Sequence, residues 1–292
     1  MKAGGVVRAV IGVLLRAFVL LPLAAAAGPL DCSFGTISPA SVVYDPLSAT
    51  PVSASGSLTV NCSKGGNNLD TRFLEIGAGP GLNAGGSQRR AARGSDRLDY
   101  ALSRDAGHTL AWGDSAGTRL AATVTSATPT SVTLNWWIRF PAGQADPAGT
   151  YLDTVTLSLY QGTSANPSLT DTAPRTASLS VSALIESRCA ISAAPGTLTL
   201  AYTSFQATAA SASTGFAVLC TLGTPYTASL DAAGGTLADL NYQLAITPAG
   251  ARTGSGAAQP MSIVGSLAAG QAGTCAAASC SASRTHTLTI TY

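Results

Sequence analysis

Charge is what this sequence has least of. Asp, Glu, Lys and Arg make up 10% of its 292 residues, lysine occurs only at Lys2 and Lys64, and histidine only at His108 and His286. So few cations exclude the basic footprint that nucleic acid requires and the polybasic patch that draws a protein to anionic lipid. Carboxylates are equally sparse, and no pair of them is set up for glycoside hydrolysis. Asp99 and Asp105 lie close together, and a structural hydrogen-bonding role accounts for both. No residue is assigned to catalysis, to a cofactor or to a metal. Beyond residue 27 no stretch is apolar for the roughly 20 residues that a membrane helix needs. None repeats apolar residues at i, i+3, i+4 and i+7 either, which removes the amphipathic helix from the expected architecture.

What the N-terminus does have is the layout of a secretory leader. Lys2, Arg8 and Arg16 precede the apolar residues 17–21, and Ala24, Ala25, Ala26 and Ala27 form a small-residue cleavage region, so removal is expected after Ala27. Losing three cations and no anions takes the formal charge from +2 to −1. About 265 residues remain, enough for two ordinary domains. Six cysteines in an exported chain point to disulfides, because the compartment beyond the inner membrane is oxidising. Their number alone leaves the connectivity open.

An internal repeat narrows it. Cys32 precedes Cys62 by 30 positions and Cys189 precedes Cys220 by 31. Residues 44–62 (YDPLSATPVSASGSLTVNC) align without gaps on residues 202–220 (YTSFQATAASASTGFAVLC). Leu98-Asp99-Tyr100-Ala101-Leu102 then answers Leu240-Asn241-Tyr242-Gln243-Leu244, and residues 151–160 answer 283–292. A unit of this length is a duplicated domain and not a solenoid repeat. Each copy is therefore expected to close its own bridge, Cys32 with Cys62 and Cys189 with Cys220. That leaves Cys275 and Cys280 to staple a turn. Their spacing does not match C-x2-C, and two histidines do not complete a zinc site.

Periodicity says strand throughout. Residues 131–140 (SVTLNWWIRF), 153–160, 178–184, 197–202 and 285–292 alternate apolar and polar side chains, which sets one face on a core and the other in water. Gly, Pro, Asn, Asp and Ser clusters separate them. The expected fold is all-β: two tandem immunoglobulin-like β-sandwich domains.

In the first copy Cys32, Arg90, Leu98-x-Tyr100-x-Leu102, Asp105, Trp112-Gly113-Asp114, Pro147-x-Gly149-x-Tyr151-x-Asp153 and Val155 fall in an order that resembles the spore coat protein U domain, the building block of Csu-type archaic chaperone-usher pili. The second copy keeps its cysteine pair, Tyr202, Leu240-x-Tyr242-x-Leu244 and the last strand, and lacks the Trp-Gly-Asp and Gly-x-Tyr-x-Asp signatures. The resemblance implies an immunoglobulin-like fold missing one strand, which a periplasmic chaperone and then an adjacent pilin subunit supply at a sheet edge. It also implies an outer-membrane usher and export to the cell surface as a pilus subunit.

Only residues 28–31 separate the expected cleavage site from Cys32, too few for a donor strand. The alternating residues 177–184, with Leu179, Val181 and Ala183 on one face, are expected to fold back and complete the first domain. The second domain is expected to need a partner's strand beside Leu288, Ile290 and Tyr292. The division is then a leader over 1–27, an adhesive domain over 28–185 and a pilin domain over 186–292. Accepting a strand without donating one implies a tip adhesin that attaches to an abiotic or host surface and promotes biofilm. Leu82, Leu110, Trp112 and Pro141, in loops 79–95, 106–117 and 141–149, are the candidate contact residues, although the place of Trp112 in the family signature favours packing over exposure for that residue. A shaft or coat subunit without adhesive role is the structural alternative. The enzymatic one is a serine hydrolase, since Gly113-Asp114-Ser115-Ala116-Gly117 matches G-x-S-x-G and His286 follows it. That reading lacks the helix after the serine and an oxyanion loop, and a short Gly/Asp turn explains the same five residues.

Overall fold

The computed structural model describes residues 29–165 and 174–292, so the leader expected over 1–27 lies outside the described residues. Among those residues all regular structure is β. The N-terminal domain contains β1 (Asp31–Ile37), β2 (Ala40–Tyr44), β3 (Val52–Ser63), β4 (Asp70–Ala78), β5 (Arg89–Arg93), β6 (Asp96–Ser103), β7 (Leu120–Ser126), β8 (Thr130–Phe140), β9 (Gly149–Gly162) and β10 (Arg175–Ile185). These form one hydrogen-bonded path, β1-β3-β8-β6-β5-β9-β10-β2, with β4 joined to β9 and β7 to β4. The β5–β6 hairpin carries the path from one layer to the other. Alternating side chains of both layers fill the space between them with a single core that includes Tyr44, Leu58, Tyr100, Trp112, Trp136, Phe140 and Tyr151.

The C-terminal domain contains β11 (Cys189–Ala193), β12 (Ala210–Cys220), β13 (Pro225–Leu230), β14 (Gly234–Leu237), β15 (Leu240–Thr247), β16 (Arg252–Thr253), β17 (Ala258–Leu267) and β18 (Leu288–Thr291). One layer is β11-β12-β17-β15-β14 and the other β16-β13-β18. Cys32 pairs with Cys62 across β1 and β3, and Cys189 with Cys220 across β11 and β12. Cys275 and Cys280 are joined in the exposed loop ahead of β18.

Three sequence expectations require correction. Residues 197–202 alternate well but form no strand, and of 285–292 only Leu288–Thr291 does; alternation supplies a buried face, and a ladder also needs a partner on the adjacent edge. The loop expected over 79–95 contains β5, which β6 pairs from Arg89↔Tyr100 to Arg93↔Asp96. The match of 151–160 to 283–292 is out of register, because β9 buries Tyr151, Asp153, Val155, Leu157 and Leu159 whereas β18 turns Leu288 and Ile290 inward. A one-residue slip sends every side chain to the other face.

Candidate strand-acceptor groove

In the N-terminal domain β10 lies between β9 and β2. It runs antiparallel to β9 from Arg175↔Leu159 to Ile185↔Gly149, and parallel to β2 from Val181↔Ala40 to Ile185↔Tyr44. Leu179, Val181, Ala183 and Ile185 point inward and are fully buried. Arg175 fastens the strand's leading end, donating to both carboxylate oxygens of Asp31 at 2.8 and 2.6 Å and to the Cys32 carbonyl at 2.9 Å. That guanidinium holds the Asp31 carboxyl below its ordinary value.

The C-terminal domain repeats the walls of this slot without its content. β18 stands where β9 does, antiparallel to β13 from Thr227↔Thr291 to Leu230↔Leu288. Residues 197–202, aligned with the stretch that ends in Tyr44, lie over β17: a Cβ built on Gly265 would sit 2.8 Å from Leu198 and 3.3 Å from Leu200. Among the described residues no strand runs between them. Burial follows. Ala40, Val42 and Tyr44 are buried, and Leu198, Leu200 and Tyr202 are half-buried; Leu157 and Leu159 are buried, and Leu288 and Ile290 are half-buried. Tyr292, past the end of β18, is 60% exposed. Leu198, Leu230, Leu244, Ile246, Leu288 and Ile290 are left half-buried against the domain's core, a candidate apolar floor for an added strand.

The floor of each sandwich carries one polar device. Tyr100 donates to Asp153 at 2.6 Å, Asn83 donates to the other oxygen of Asp153 through its backbone and its amide, and Arg89 donates to the Ala78 and Gly79 carbonyls. Burial and the neighbouring carboxylate push the Tyr100 hydroxyl far above its ordinary value, and burial lowers Arg89. Gly81, at φ 92°, closes over Asp153, and a Cβ there would collide with the carboxylate. In the repeat Tyr242 meets His286 Nε2 at 2.7 Å, and His286 Nδ1 meets Asp231 at 2.7 Å.

Trp112 is removed from the candidate contact surface. It is fully buried, donates Nε1–H to the Ile76 carbonyl at 2.8 Å and packs against Trp136. Leu82 and Leu110 are 77% and 51% exposed, and Pro141 is exposed. They do not converge. Leu82 is tied to β9 through Thr154, Leu110 to the Asp105 turn, and Pro141 accepts from Tyr44 beside the second domain. The pole opposite that domain is formed by turns 64–69 and 127–129, where Leu69 is 72% exposed. Sequence reasoning passed over Leu69 because a single leucine in a Gly/Asn turn carries no pattern.

Ser115 sits in a turn, with its hydroxyl 3.0 Å from Thr118 and Gly117 at φ 82°. Arg119 holds that turn, donating to Glu75 at 3.0 Å and to the Asp114 carbonyl at 2.9 Å while its guanidinium covers Tyr160. Both nitrogens of His286 are engaged in the other domain. The structure therefore does not bring Ser115 and His286 together as a nucleophile and its base.

The spore coat protein U domain matches residues 23–158 and 175–253, which together make up most of the chain. This chain belongs to the spore coat protein U family. Protein U of Myxococcus xanthus is 32% identical over 139 residues, covering 46% of this chain and 73% of that protein. Two solved structures are also similar to this family member. One is a chain of the chaperone–tip adhesion subunit pre-assembly complex of archaic chaperone-usher Csu pili from Acinetobacter baumannii, 15% identical, with 90% of this chain and 100% of that one covered at a TM-score of 0.48. The other is a chaperone–tip adhesin complex of CFA/I fimbriae, 9% identical, with 87% and 96% covered at a TM-score of 0.30.

Proposed function

We propose that this spore coat protein U family member is an exported subunit of an archaic chaperone-usher pilus, acting as its tip adhesin. The observation that carries the reading is the unequal filling of one strand position. β10 completes the N-terminal domain from within the chain, and the matching position of the C-terminal domain, between β18 and residues 197–202, holds no strand among the described residues. A sheet edge above a half-buried apolar floor is a site for strand addition, where backbone bonds supply affinity and side-chain pockets supply specificity. A periplasmic chaperone and then a neighbouring subunit at the outer-membrane usher are the expected donors. The alternating segment that precedes the C-terminal domain, as a donor strand precedes a pilin, is committed to the N-terminal domain. Used internally, that segment is not available to a neighbouring subunit, which suits the tip. The N-terminal domain then faces the abiotic or host surface.

Full chain purified without a chaperone is expected to aggregate, and a synthetic donor peptide with apolar residues at every second position is expected to render it monodisperse. Monodisperse chain with an unchanged melting temperature in the absence of any donor overturns the reading. Immunogold label confined to fibre ends supports the tip. Label along the whole fibre favours the shaft subunit.

A further inference from the structure

The two domains share a second device at one end. In the N-terminal domain the Tyr44 hydroxyl donates to the Pro141 carbonyl at 2.8 Å and accepts from Gln144 N–H at 3.0 Å, and the Gln144 carboxamide clasps the Asp99 backbone at 2.6 and 3.0 Å. Tyr202, Ala268, Gln271 and Asn241 repeat every one of these bonds at 2.9, 2.8, 2.7 and 3.0 Å. Gly143 and Gly270, at φ 78° and 77°, turn the two loops alike. The signal is the recurrence of Ala-Gly-Gln-Ala at 142–145 and 269–272.

The N-terminal copy uses this rim as a seat. Asp45 pairs with Arg188 at 2.8 Å, and a Cβ on Gly256 would fall 2.9 Å from Ala145, so the leading end of the C-terminal domain rests on loops 45–48 and 141–148. The intervening Glu186, Ser187 and Arg188 are fastened by the buried Thr221, which accepts from Arg188 N–H at 3.2 Å and donates to the Glu186 carbonyl at 3.1 Å. In the C-terminal copy the rim is bare. Residues 45–48 are half-buried, while residues 203–205 are exposed. Phe205, aligned with Leu47, is 72% exposed and held at φ 60°. A bulky residue in the left-handed region is an outlier, and such strain gathers at functional positions.

We infer that the Tyr202–Gln271 rim is a seat for the leading end of a neighbouring domain of this same kind, with Phe205 as the anchoring contact. The inference rests on the reading that a partner's strand enters the groove. β10 runs parallel to β2, leaves beside Tyr44 and reaches Cys189 after three residues. A strand entering the C-terminal groove in the same sense leaves beside Tyr202, and the domain that follows it lands on Phe205. Thr203 stands where Asp45 does, so this contact is apolar where the internal one is ionic. Exposed aromatics at the centre of a contact dominate its energy.

The test is photocrosslinking in the native cell with full chain carrying p-benzoylphenylalanine at position 205 or at position 290, and adducts mapped by mass spectrometry. Adducts of both positions with one pilus subunit, with the position-205 site within that subunit's first cysteine-bearing strand, are the expected result. An adduct at position 290 with none at 205, or one mapped elsewhere on the subunit, overturns the inference and leaves strand entry standing. Absence of an adduct at 290 removes strand entry, and the inference with it. Phe205→Ala, which removes an exposed ring, leaves the left-handed backbone with its Cβ and keeps the circular dichroism spectrum, is expected to lower the yield at 290 about tenfold. An unchanged yield counts against the seat.

Discussion

The Tyr100 hydroxyl donates a 2.6 Å hydrogen bond to Asp153, and Tyr242, at the same place in the repeat, turns instead to His286 at 2.7 Å. The first pair is sealed inside the completed sandwich. The second connects through His286 to Asp231, which is exposed. Tyr100→Phe leaves a buried carboxylate short of a donor and is expected to cost about 1–3 kcal/mol in urea-induced unfolding. Tyr242→Phe, whose histidine partner keeps Asp231, is expected to cost less.

Acid should weaken the fold over a narrow range. Asp31 is held below the ordinary 3.8 first by the hydrogen bond from Arg175, Asp105 by the Leu110 backbone N–H, and Asp231 by His286. A depressed folded value means stability that is present above the unfolded value and lost as pH falls through the folded one. The melting temperature is therefore expected to hold from neutrality to about pH 5 and to fall below about pH 4. Asp146, raised by burial and by Asp96 and Asp99, works in the opposite sense. Asp31→Asn should remove part of the acid drop. An identical acid profile in that variant counts against the Asp31–Arg175 lock.

Trp112 and Leu69 separate packing from contact. Trp112→Ala is expected to cost about 3–5 kcal/mol in chemical unfolding, as for other fully buried aromatics. Leu69→Asp is expected to leave the melting temperature within about a degree and to reduce attachment of pilus-bearing cells to hydrophobic beads. Full attachment by that variant removes the far pole from the adhesive surface.

Ser115 offers a plain test of the hydrolase alternative. Its hydroxyl faces Thr118, and no labelling by a fluorophosphonate is expected. Stoichiometric labelling restores the enzymatic reading.

Alternation made the all-β fold legible in the sequence, and the Trp112-Gly113-Asp114 and Gly149-x-Tyr151-x-Asp153 motifs made the family legible. What the sequence concealed has physical reasons. Residues 197–202 read as a strand because alternation records which side chains face a core and is silent on whether a neighbouring edge exists. The register of β18 was misread because the alignment weighed residue identity, while the pleat fixes orientation by parity. Trp112 is the exception among the loop candidates: its place in the family signature favours packing over exposure, and its ring enters the core beside Trp136. The Tyr–Gln–Asx clasp went unseen because its members lie far apart along the chain, Tyr44 and Gln144 being 100 positions distant. Only the short Ala-Gly-Gln-Ala recurrence marks it.

The join at Ile185 determines how tension would travel. A pull on the C-terminal domain against an anchored N-terminal domain enters β10 at its trailing end, along the strand axis, with bonds to β9 and β2 lying across the load. Rungs so oriented bear force together and do not open one after another. Resistance to drag is thus built into the same strand that completes the fold.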